Sequence, residues 1–339
     1  MRKMKTGKFI GRRIIKTGIA VFITAFICLQ LNLPAEFAVI AAIVTIEPTA
    51  FDSIRKGVIR FPASAIGAAF AVIFVALWGE TVLSYTLAAV FTIFLCQKLK
   101  LNDGILVATL TAVAMVPDIN GHFILTFLSR LGTTTIGITV STLVNFLILP
   151  PKFTPLINEK LKATFLLASE VLSKTMQGII ESNPKRAINP TYLKFRNTTE
   201  KVSELLSFQE REWKYHKIKI SEYRNFYKLK KMNTIMQKIA LHIGNLQYVN
   251  EPGHFTMKEK EVIIKSVQSI QLILENPSNS IPEDHYKLIG ELDFQLRYEA
   301  NQLSKSSQFF HHFTTKRIVY FELLSIHDSL EELYQINAY

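Results

Sequence analysis

The sequence predicts an all-α membrane protein in which six transmembrane helices form a 3+3 inverted repeat and a cytoplasmic antiparallel helical bundle follows. Three observations support this prediction. The 339 residues are 49% hydrophobic, and nearly all long apolar runs lie before Pro150. The links between these runs alternate between basic and acidic charge. A pattern of one arginine and three small residues occurs twice, about seventy positions apart.

Six apolar segments precede Pro150. They cover residues 14–31, 35–50, 58–78, 82–96, 101–117 and 122–149. A helix perpendicular to the bilayer needs about 20 apolar residues to cross it. Four segments are shorter, so we expect some helices to be broken or tilted. The first segment follows a basic start, but further apolar segments come at once and no small-x-small cleavage site ends it. We therefore interpret it as a retained helix and not as a signal peptide.

The links between the segments predict the topology. The N-terminus, the turn at 51–57, the link at 97–100 and the chain after Pro150 all carry Lys or Arg. The links at 32–36, 79–81 and 118–121 carry only acidic charges. Because Lys and Arg are enriched in cytoplasmic loops, we expect a multi-pass protein of the cell (inner) membrane with both termini cytoplasmic. The domains are then residues 1–150 in the bilayer and residues 151–339 outside it.

The repeated pattern lies in the third and sixth segments. The first copy comprises Arg60, Ser64, Gly67 and Ala71, and the second comprises Arg130, Thr134, Gly137 and Ser141. These positions share one stripe of a helix. Arg60 begins a helix that runs outward and Arg130 one that runs inward, which indicates two inverted halves, as in many secondary transporters. Pro48 and Pro117 end short segments at matching places in the two halves, which favours a substrate site near the middle.

Each residue of this pattern has more than one interpretation. Arg60 is either an inner-leaflet anchor or, with Arg130, Ser64 and Thr134, part of a substrate-binding site. Arg130 lies about two turns inside the sixth segment, from the side that otherwise avoids positive charge, and an intramembrane cation is costly. Gly67 and Gly137 are expected mainly to allow close helix packing.

Two carboxylates lie near helix ends in the apolar half. These are Glu47 and Asp103. Three roles are open for them: ion coupling by carrying a proton, pairing with the arginines, or a position at the membrane interface.

The same stretch resembles a known family. The run Glu47-Pro48-Thr49, the sequence of residues 52–57 and Arg60 with Ser64 and Ile66-Gly67 are similar to the signature of the bacterial aromatic acid exporter family, within the fusaric-acid-resistance superfamily. Arg130, Thr134, Gly137 and Val144-Asn145 resemble that family's sixth helix. The resemblance covers residues 10–150 and, more faintly, the helical C-terminal domain of its small single-membrane-domain branch. It implies a six-helix inner-membrane protein, often a homodimer, that exports aromatic carboxylates. The chain departs from the pattern at Ala63-Ser64, where Gly-Thr is expected, and at Pro62.

Residues 151–339 have helical patterning throughout. Thr256 and Glu259 form a predicted capping box at the start of one helix. Two apolar seams with three- and four-residue spacing predict an antiparallel bundle. They are Leu229, Met232, Met236, Ile239, Ile243 and Leu246, and Val319, Leu323, Ile326, Leu330 and Leu333. A basic-aromatic run at 213–231 favours acidic lipid headgroups or solvent over nucleic acid.

No catalytic, nucleotide-binding or metal-binding motif occurs in the chain. Cys28 and Cys96 lie in apolar segments, where we interpret them as small apolar filler. The sequence therefore favours a non-enzymatic, gradient-driven transporter without cofactor or metal, with organic carboxylate anions as substrate and the lipid bilayer and a second copy of the chain as partners. The alternatives are a passive anion channel and a non-transporting scaffold or sensor that acts through its helical bundle.

Overall fold

The computed structural model describes residues 7–119, 121–181, 190–215, 218–249, 253–303 and 314–338. The all-α prediction is confirmed for these residues, whose regular structure is helical throughout. The helices are α1 (Gly7–Gln30), α2 (Ala35–Thr45), α3 (Ala50–Trp78), α4 (Val82–Lys98), α5 (Ile105–Met115), α6 (Phe123–Leu147), α7 (Thr154–Ile180), α8 (Pro190–Glu212), α9 (Ile220–Gln247), α10 (Met257–Glu275), α11 (Glu283–Leu303) and α12 (Thr315–Ala338). Both chain ends, for which a cytoplasmic position is predicted, and residues 216–217 of the basic-aromatic run lie outside the described residues.

Three helices are long and apolar enough to cross a membrane. They are the part of α1 at Arg13–Gln30, α3 and α6. The helices α2 and α5 have only 11 residues each. At 1.5 Å per residue such a helix is about 16 Å long, roughly half the thickness of the hydrocarbon core. Short 3-10 turns at Asn102–Gly104 and Val116–Asp118 flank α5. The apolar segments at 35–50 and 101–117 thus become partial helices.

The prediction of a turn at residues 51–57 is wrong, because these residues belong to the N-terminal part of α3. The Thr49 side chain caps this helix by accepting a hydrogen bond from the backbone N–H of Asp52. Asp52 also places a carboxylate in the first turn, where the helix dipole favours negative charge. These local contacts start the helix eight residues before the apolar run that predicted it.

The chain divides into two compact units. The first comprises residues 1–152 and 210–217, and the second comprises residues 153–209 and 218–339. The sequence did not predict that residues 210–217 belong to the first unit.

In the first unit, α3 and α6 pack on each other at the centre. The helix α3 also packs on α4 and α5, and α6 packs on α1 and α2. The pairs α1–α2 and α4–α5 are in contact as well. The three helices α1, α2 and α6 therefore contact one another in the same way as α4, α5 and α3. In this correspondence α1 matches α4, α2 matches α5 and α6 matches α3.

In the second unit, α9 packs on α7 and α12, and α10 packs on α7, α11 and α12. The seam on α12 is buried, and the seam on α9 is buried except for the half-buried Met232. The predicted capping box is confirmed: Thr256 Oγ1 accepts from the N–H of Glu259, and the Glu259 carboxylate accepts from the N–H of Thr256.

Candidate functional site

Arg60 lies near the start of α3 and is fully engaged by protein groups. Its Nη2 donates to Glu47 Oε1 at 2.8 Å, its Nη1 to the carbonyl of Val44 at 3.0 Å and its Nε to the carbonyl of Asp103 at 3.3 Å. Glu47 also accepts from Lys56 Nζ at 3.0 Å. The carbonyl of Val44 is available because α2 ends at Thr45, which leaves its last carbonyls without helical partners. Arg60 thus joins the end of α2, the turn before α5 and the start of α3.

The carboxylate of Asp103 does not bind Arg60. It pairs with Arg55 at 3.2 Å, and both side chains are substantially exposed. Exposed ion pairs of this kind contribute about 0–1 kcal/mol. Of the two candidate ion-coupling residues, Glu47 pairs with the buried arginine and Asp103 with an exposed one.

Asn145 holds together the segment that connects α2 and α3. Its Nδ2 donates to the carbonyls of Glu47 and Thr49, at 3.0 Å and 3.2 Å, and to Ser53 Oγ at 2.7 Å. Its Oδ1 accepts from Lys16 Nζ at 2.8 Å. In the sequence, only the family resemblance marks Asn145, and nothing predicts the contact of Lys16 with it. The signal for Lys16 was a single cation inside the first apolar segment.

Arg130 has a different environment. It lies in the second turn of α6 and is only 6% exposed. Its Nη2 donates to Thr111 Oγ1 at 2.7 Å, and its guanidinium carbon lies 3.5 Å from the ring centroid of Phe37. Its Nε and Nη1 are buried and have no hydrogen-bond partner. Among the described residues, no carboxylate forms an ion pair with it. Arg130 is thus a buried cation with two unused donors.

A row of hydroxyl groups continues from Arg130 into the centre of the first unit. Thr111 Oγ1 lies 3.1 Å from Ser64 Oγ, which lies 3.4 Å from Thr134 Oγ1. The structure therefore brings together three of the four predicted substrate residues, Arg130, Ser64 and Thr134. Arg60 binds a separate set of partners one helical turn before Ser64. Thr111 was not predicted, and its only sign in the sequence is a hydroxyl group within the apolar α5.

Arg130 lines a cavity of about 650 Å³. The walls come from the start of α2, the end of α5 with its following turn, and the start of α6. Phe37 contributes an aromatic wall, Ser129 a hydroxyl, and Glu36 and Asp118 contribute carboxylates. The volume lies within the roughly 300–1,000 Å³ that is typical of small-molecule sites. A guanidinium binds a carboxylate through charge-assisted hydrogen bonds, and Nε and Nη1 of Arg130 have no partner in the protein.

The two predicted packing glycines fix how the helices around this site meet. A Cβ atom on Gly67 would lie 2.2 Å from the carbonyl oxygen of Ala108 in α5. A Cβ atom on Gly137 would lie 2.3 Å from the carbonyl oxygen of Ala38 in α2. Each glycine therefore lets a long central helix touch the backbone of a short one, as small residues do in membrane proteins.

Comparison with known proteins identifies the family. Residues 8–148 match the model described as aromatic acid exporter family member 1. A UPF0421 protein of Bacillus cereus is 45% identical over 99% of this chain and 96% of its own length. The chain belongs to the UPF0421 family. UPF0421 proteins of Halalkalibacterium halodurans and Staphylococcus haemolyticus are each 36% identical, over 97% and 96% of this chain and 90% and 97% of their own lengths. The resemblance to the aromatic acid exporter family is thereby confirmed.

The match to the aromatic acid exporter family and the three apolar helices together indicate a membrane protein. The matched residues 8–148 contain all of Arg60, Arg130 and their partners in α2, α3, α5 and α6. The candidate site therefore lies entirely within the part of this UPF0421 protein that is similar to exporters.

Proposed function

We propose that this UPF0421 protein is a gradient-driven transporter that exports organic carboxylate anions, aromatic ones among them, across the cell membrane. Arg130 carries this proposal. A buried cation without a counter-ion is costly in an apolar environment, and its cost falls when an anion binds it. The cavity beside Arg130 is large enough for a small organic acid. Phe37 adds an apolar face beside the guanidinium, on which the body of an organic acid can pack.

The proposal includes six spanning helices in two inverted halves. The packing between the halves α1–α3 and α4–α6 supports it, because the long helix of each half contacts the short helix of the other. The helix α3 meets α5 at Gly67, and α6 meets α2 at Gly137. The equivalent residues Ser64 and Thr134 lie next to each other where α3 and α6 cross. In inverted-repeat transporters the substrate site lies near the midplane, at the contact between the halves. The hydroxyl row of Ser64, Thr111 and Thr134 joins α3, α5 and α6, and we place the substrate path there.

An alternating transporter fits the interior better than an open channel does. Ser64, Thr111 and Thr134 are buried and joined by hydrogen bonds, so the centre between the two halves is filled. The cavity lies at the start of α6, and Arg130 connects its wall to this centre by donating a hydrogen bond to Thr111. Near the start of α3, the ion pairs of Glu47 with Arg60 and Lys56 hold the helix ends together, so we propose that they close this end of the substrate path. Export then requires the Arg60–Glu47 contact to open while the cavity at Arg130 closes.

Glu47 is the proposed ion-coupling residue, with Asp103 as its exposed neighbour on the other side of Arg60. A proton on Glu47 removes the charge that holds both Arg60 and Lys56. Because both ion pairs depend on the same carboxylate, one proton weakens the two contacts together. This step would link the proton gradient to the opening of the inner side.

Flux measurements in liposomes test the proposal. Purified protein is reconstituted, and the efflux of aromatic and dicarboxylic acids is compared for the wild type, Arg130→Ala and Arg130→Lys. We expect the alanine variant to lose most of the flux and the lysine variant to recover part of it, because lysine keeps the charge but not the fork. The matched control is Lys98→Ala, which removes an exposed cation at the end of α4. Wild-type flux in Arg130→Ala at equal reconstituted amounts would show that the substrate site lies elsewhere.

A further inference from the structure

A basic and aromatic stripe lies along the first half of α9. Positions 220, 223, 224, 227, 228 and 231 recur at three- and four-residue spacing and therefore share one face of the helix. They hold Ile220, Tyr223, Arg224, Tyr227, Lys228 and Lys231, which we call the α9 stripe. Ile220 is 74% exposed, and about half of each tyrosine is exposed. The face that packs into the second unit contains Phe226 and Leu229, which are both buried.

The charge of this region is strongly one-sided. Residues 218–231 contain five basic residues and one acidic residue, Glu222. Lys231 Nζ lies 5.0 Å from the ring centroid of Tyr227, so cations and aromatic rings are interleaved along the face. A groove of about 680 Å³ runs beside the stripe. Its one carboxylate, Glu332, is paired with Lys238 at 2.5 Å. The stripe thus presents an excess of positive charge together with exposed apolar side chains.

In the sequence, α9 begins directly after a segment that belongs to the first unit. Residues 210–217 belong to that unit, and only two residues separate them from Ile220. Within the first unit, the Glu212 carboxylate accepts from the N–H of Ala50 at 2.9 Å, and Arg211 pairs with Asp52 at 3.3 Å. These contacts lie at the end of α3 that the charge pattern places on the cytoplasmic side. The stripe therefore begins within a few residues of a segment that is packed at that end of a spanning helix.

We propose that the α9 stripe binds the anionic phospholipid surface of the membrane in which the chain is embedded. Lysine and arginine are attracted to the negative surface potential of the cytoplasmic leaflet, and the attraction fades within about one Debye length. Tyrosine and isoleucine on the same face gain by burial at the headgroup boundary. Long basic side chains lay their stems on apolar surface while their charged ends reach the phosphates. A helical face that combines positive charge with exposed apolar side chains is therefore better suited to the surface of an anionic bilayer than to water.

The full-length chain in nanodiscs tests this inference. Cys28 and Cys96 are replaced by alanine, and a single cysteine at Ile220 or at Leu241 carries an environment-sensitive fluorophore. Leu241 is the matched control, because it is 62% exposed on the same helix but lies outside the stripe. In nanodiscs that contain phosphatidylglycerol, we expect the label at 220 to shift to shorter wavelength and to be quenched by a lipid-borne quencher. The label at 241 should show neither effect.

Charge dependence separates anionic lipid from other neighbours. The Arg224→Glu/Lys228→Glu/Lys231→Glu variant should lose the shift at 220, and high salt should weaken it in the unaltered stripe, so the result does not depend on one variant folding well. Equal signals at 220 and 241, or an equal shift in pure phosphatidylcholine, would overturn the proposal. A shift on addition of single-stranded RNA but not with phosphatidylglycerol would assign the stripe to nucleic acid and overturn it as well. The measurement needs no transport, so its outcome is independent of the flux experiment.

Discussion

Two arginines at equivalent places in the sequence pattern have opposite electrostatic situations in the structure. Arg60 donates to one carboxylate and two carbonyls, and Glu47, its ionic partner, also binds Lys56. Arg130 has one hydroxyl, one aromatic ring and two unused donors. The difference at these residues suggests a division of roles, in which Arg60 holds helices together and Arg130 receives the substrate.

Removal of Arg60 should therefore destabilise the protein. Breaking a buried ion pair costs about 3–5 kcal/mol when the remaining charge has no other partner, and we expect a smaller loss here because Glu47 still binds Lys56. We expect Arg60→Ala to lower the unfolding temperature in detergent and the Arg60→Ala/Glu47→Gln double variant to recover part of the loss. The control is Arg55→Ala, whose pair with Asp103 is exposed and contributes at most about 1 kcal/mol. Equal unfolding temperatures for Arg60→Ala and Arg55→Ala would contradict this assignment.

Two histidines meet in the core of the second unit. His285 Nε2 lies 3.1 Å from His327 Nδ1, and His285 Nδ1 lies 2.8 Å from Ser269 Oγ. His285 is fully buried. Burial, with a smaller contribution from His327, lowers the pKa of His285 to about 4. An unfolded histidine has a pKa of about 6.5, so the unfolded chain binds this proton more readily than the folded chain does.

The stability of the second unit should accordingly fall as the pH drops from about 6.5 to about 4. The contribution of His285 is fully present above pH 6.5, and up to about 3 kcal/mol is lost below pH 4. We expect His285→Gln to flatten this part of the curve of unfolding temperature against pH, measured on the full chain. His254→Gln, which changes an exposed histidine, should leave the curve unchanged. A curve of unaltered slope in His285→Gln would show that other groups cause the acid sensitivity.

At the scale of elements, the first unit depends on two long helices that touch two short ones through glycine. Gly67 and Gly137 leave no room for a side chain, because backbone carbonyl oxygens of α5 and α2 lie where a Cβ atom would be placed. Backbone atoms in a packed helix cannot turn away as a flexible side chain can. The contacts at these two glycines therefore set the distance between each long helix and its short partner.

Alanine at either glycine should separate the helices. We expect Gly67→Ala and Gly137→Ala each to cost about 1–3 kcal/mol by overpacking and to reduce the folded fraction recovered by size-exclusion chromatography after extraction. Gly132→Ala on α6 is the control, because no atom lies within 4 Å of its Cβ position. That change should be neutral or stabilising, since alanine has the higher helix propensity. If all three variants gave the same yield, close packing at Gly67 and Gly137 would not be essential.

At the scale of the whole molecule, the alternation of basic and acidic links predicts which side of the membrane each helix end faces. The two ends of α4 provide a compact test, because Glu80 lies just before the helix and Lys98 is its last residue. Both positions are exposed.

In a background without Cys28 and Cys96, Glu80→Cys should react with a membrane-impermeant thiol reagent in intact cells. Lys98→Cys should react only after the cells are permeabilised, because the positive-inside rule places it in the cytoplasm. The reverse pattern would invert the topology and place the cavity at Arg130 on the inner side. Labelling of both positions in intact cells would show that α4 does not span the membrane.

The sequence by itself determined the features that depend on local composition and periodicity. The apolar runs predicted α6 to within two residues and the C-terminal ends of α1 and α3 to within one, whereas α1 begins seven residues and α3 eight residues before its apolar run. The spacing of small residues identified the two packing glycines, and Thr256 with Glu259 identified a helix start. These signals are readable because burial and capping act between residues that are close in the chain.

Only the tertiary structure decided which arginine keeps donors without a partner in the protein. Arg60 and Arg130 have the same neighbours in the pattern, and the sequence distinguished them only by the position of Arg130 about two turns inside the sixth segment. The end of α2 and the turn before α5 bring Glu47 and two carbonyls to Arg60, whereas at Arg130 the packing supplies Thr111 and Phe37. Electrostatic partners come from segments that are distant in the chain, and their presence depends on where short helices end. The Arg60–Glu47 contact and the candidate binding site at Arg130 therefore follow from packing and not from the repeated pattern.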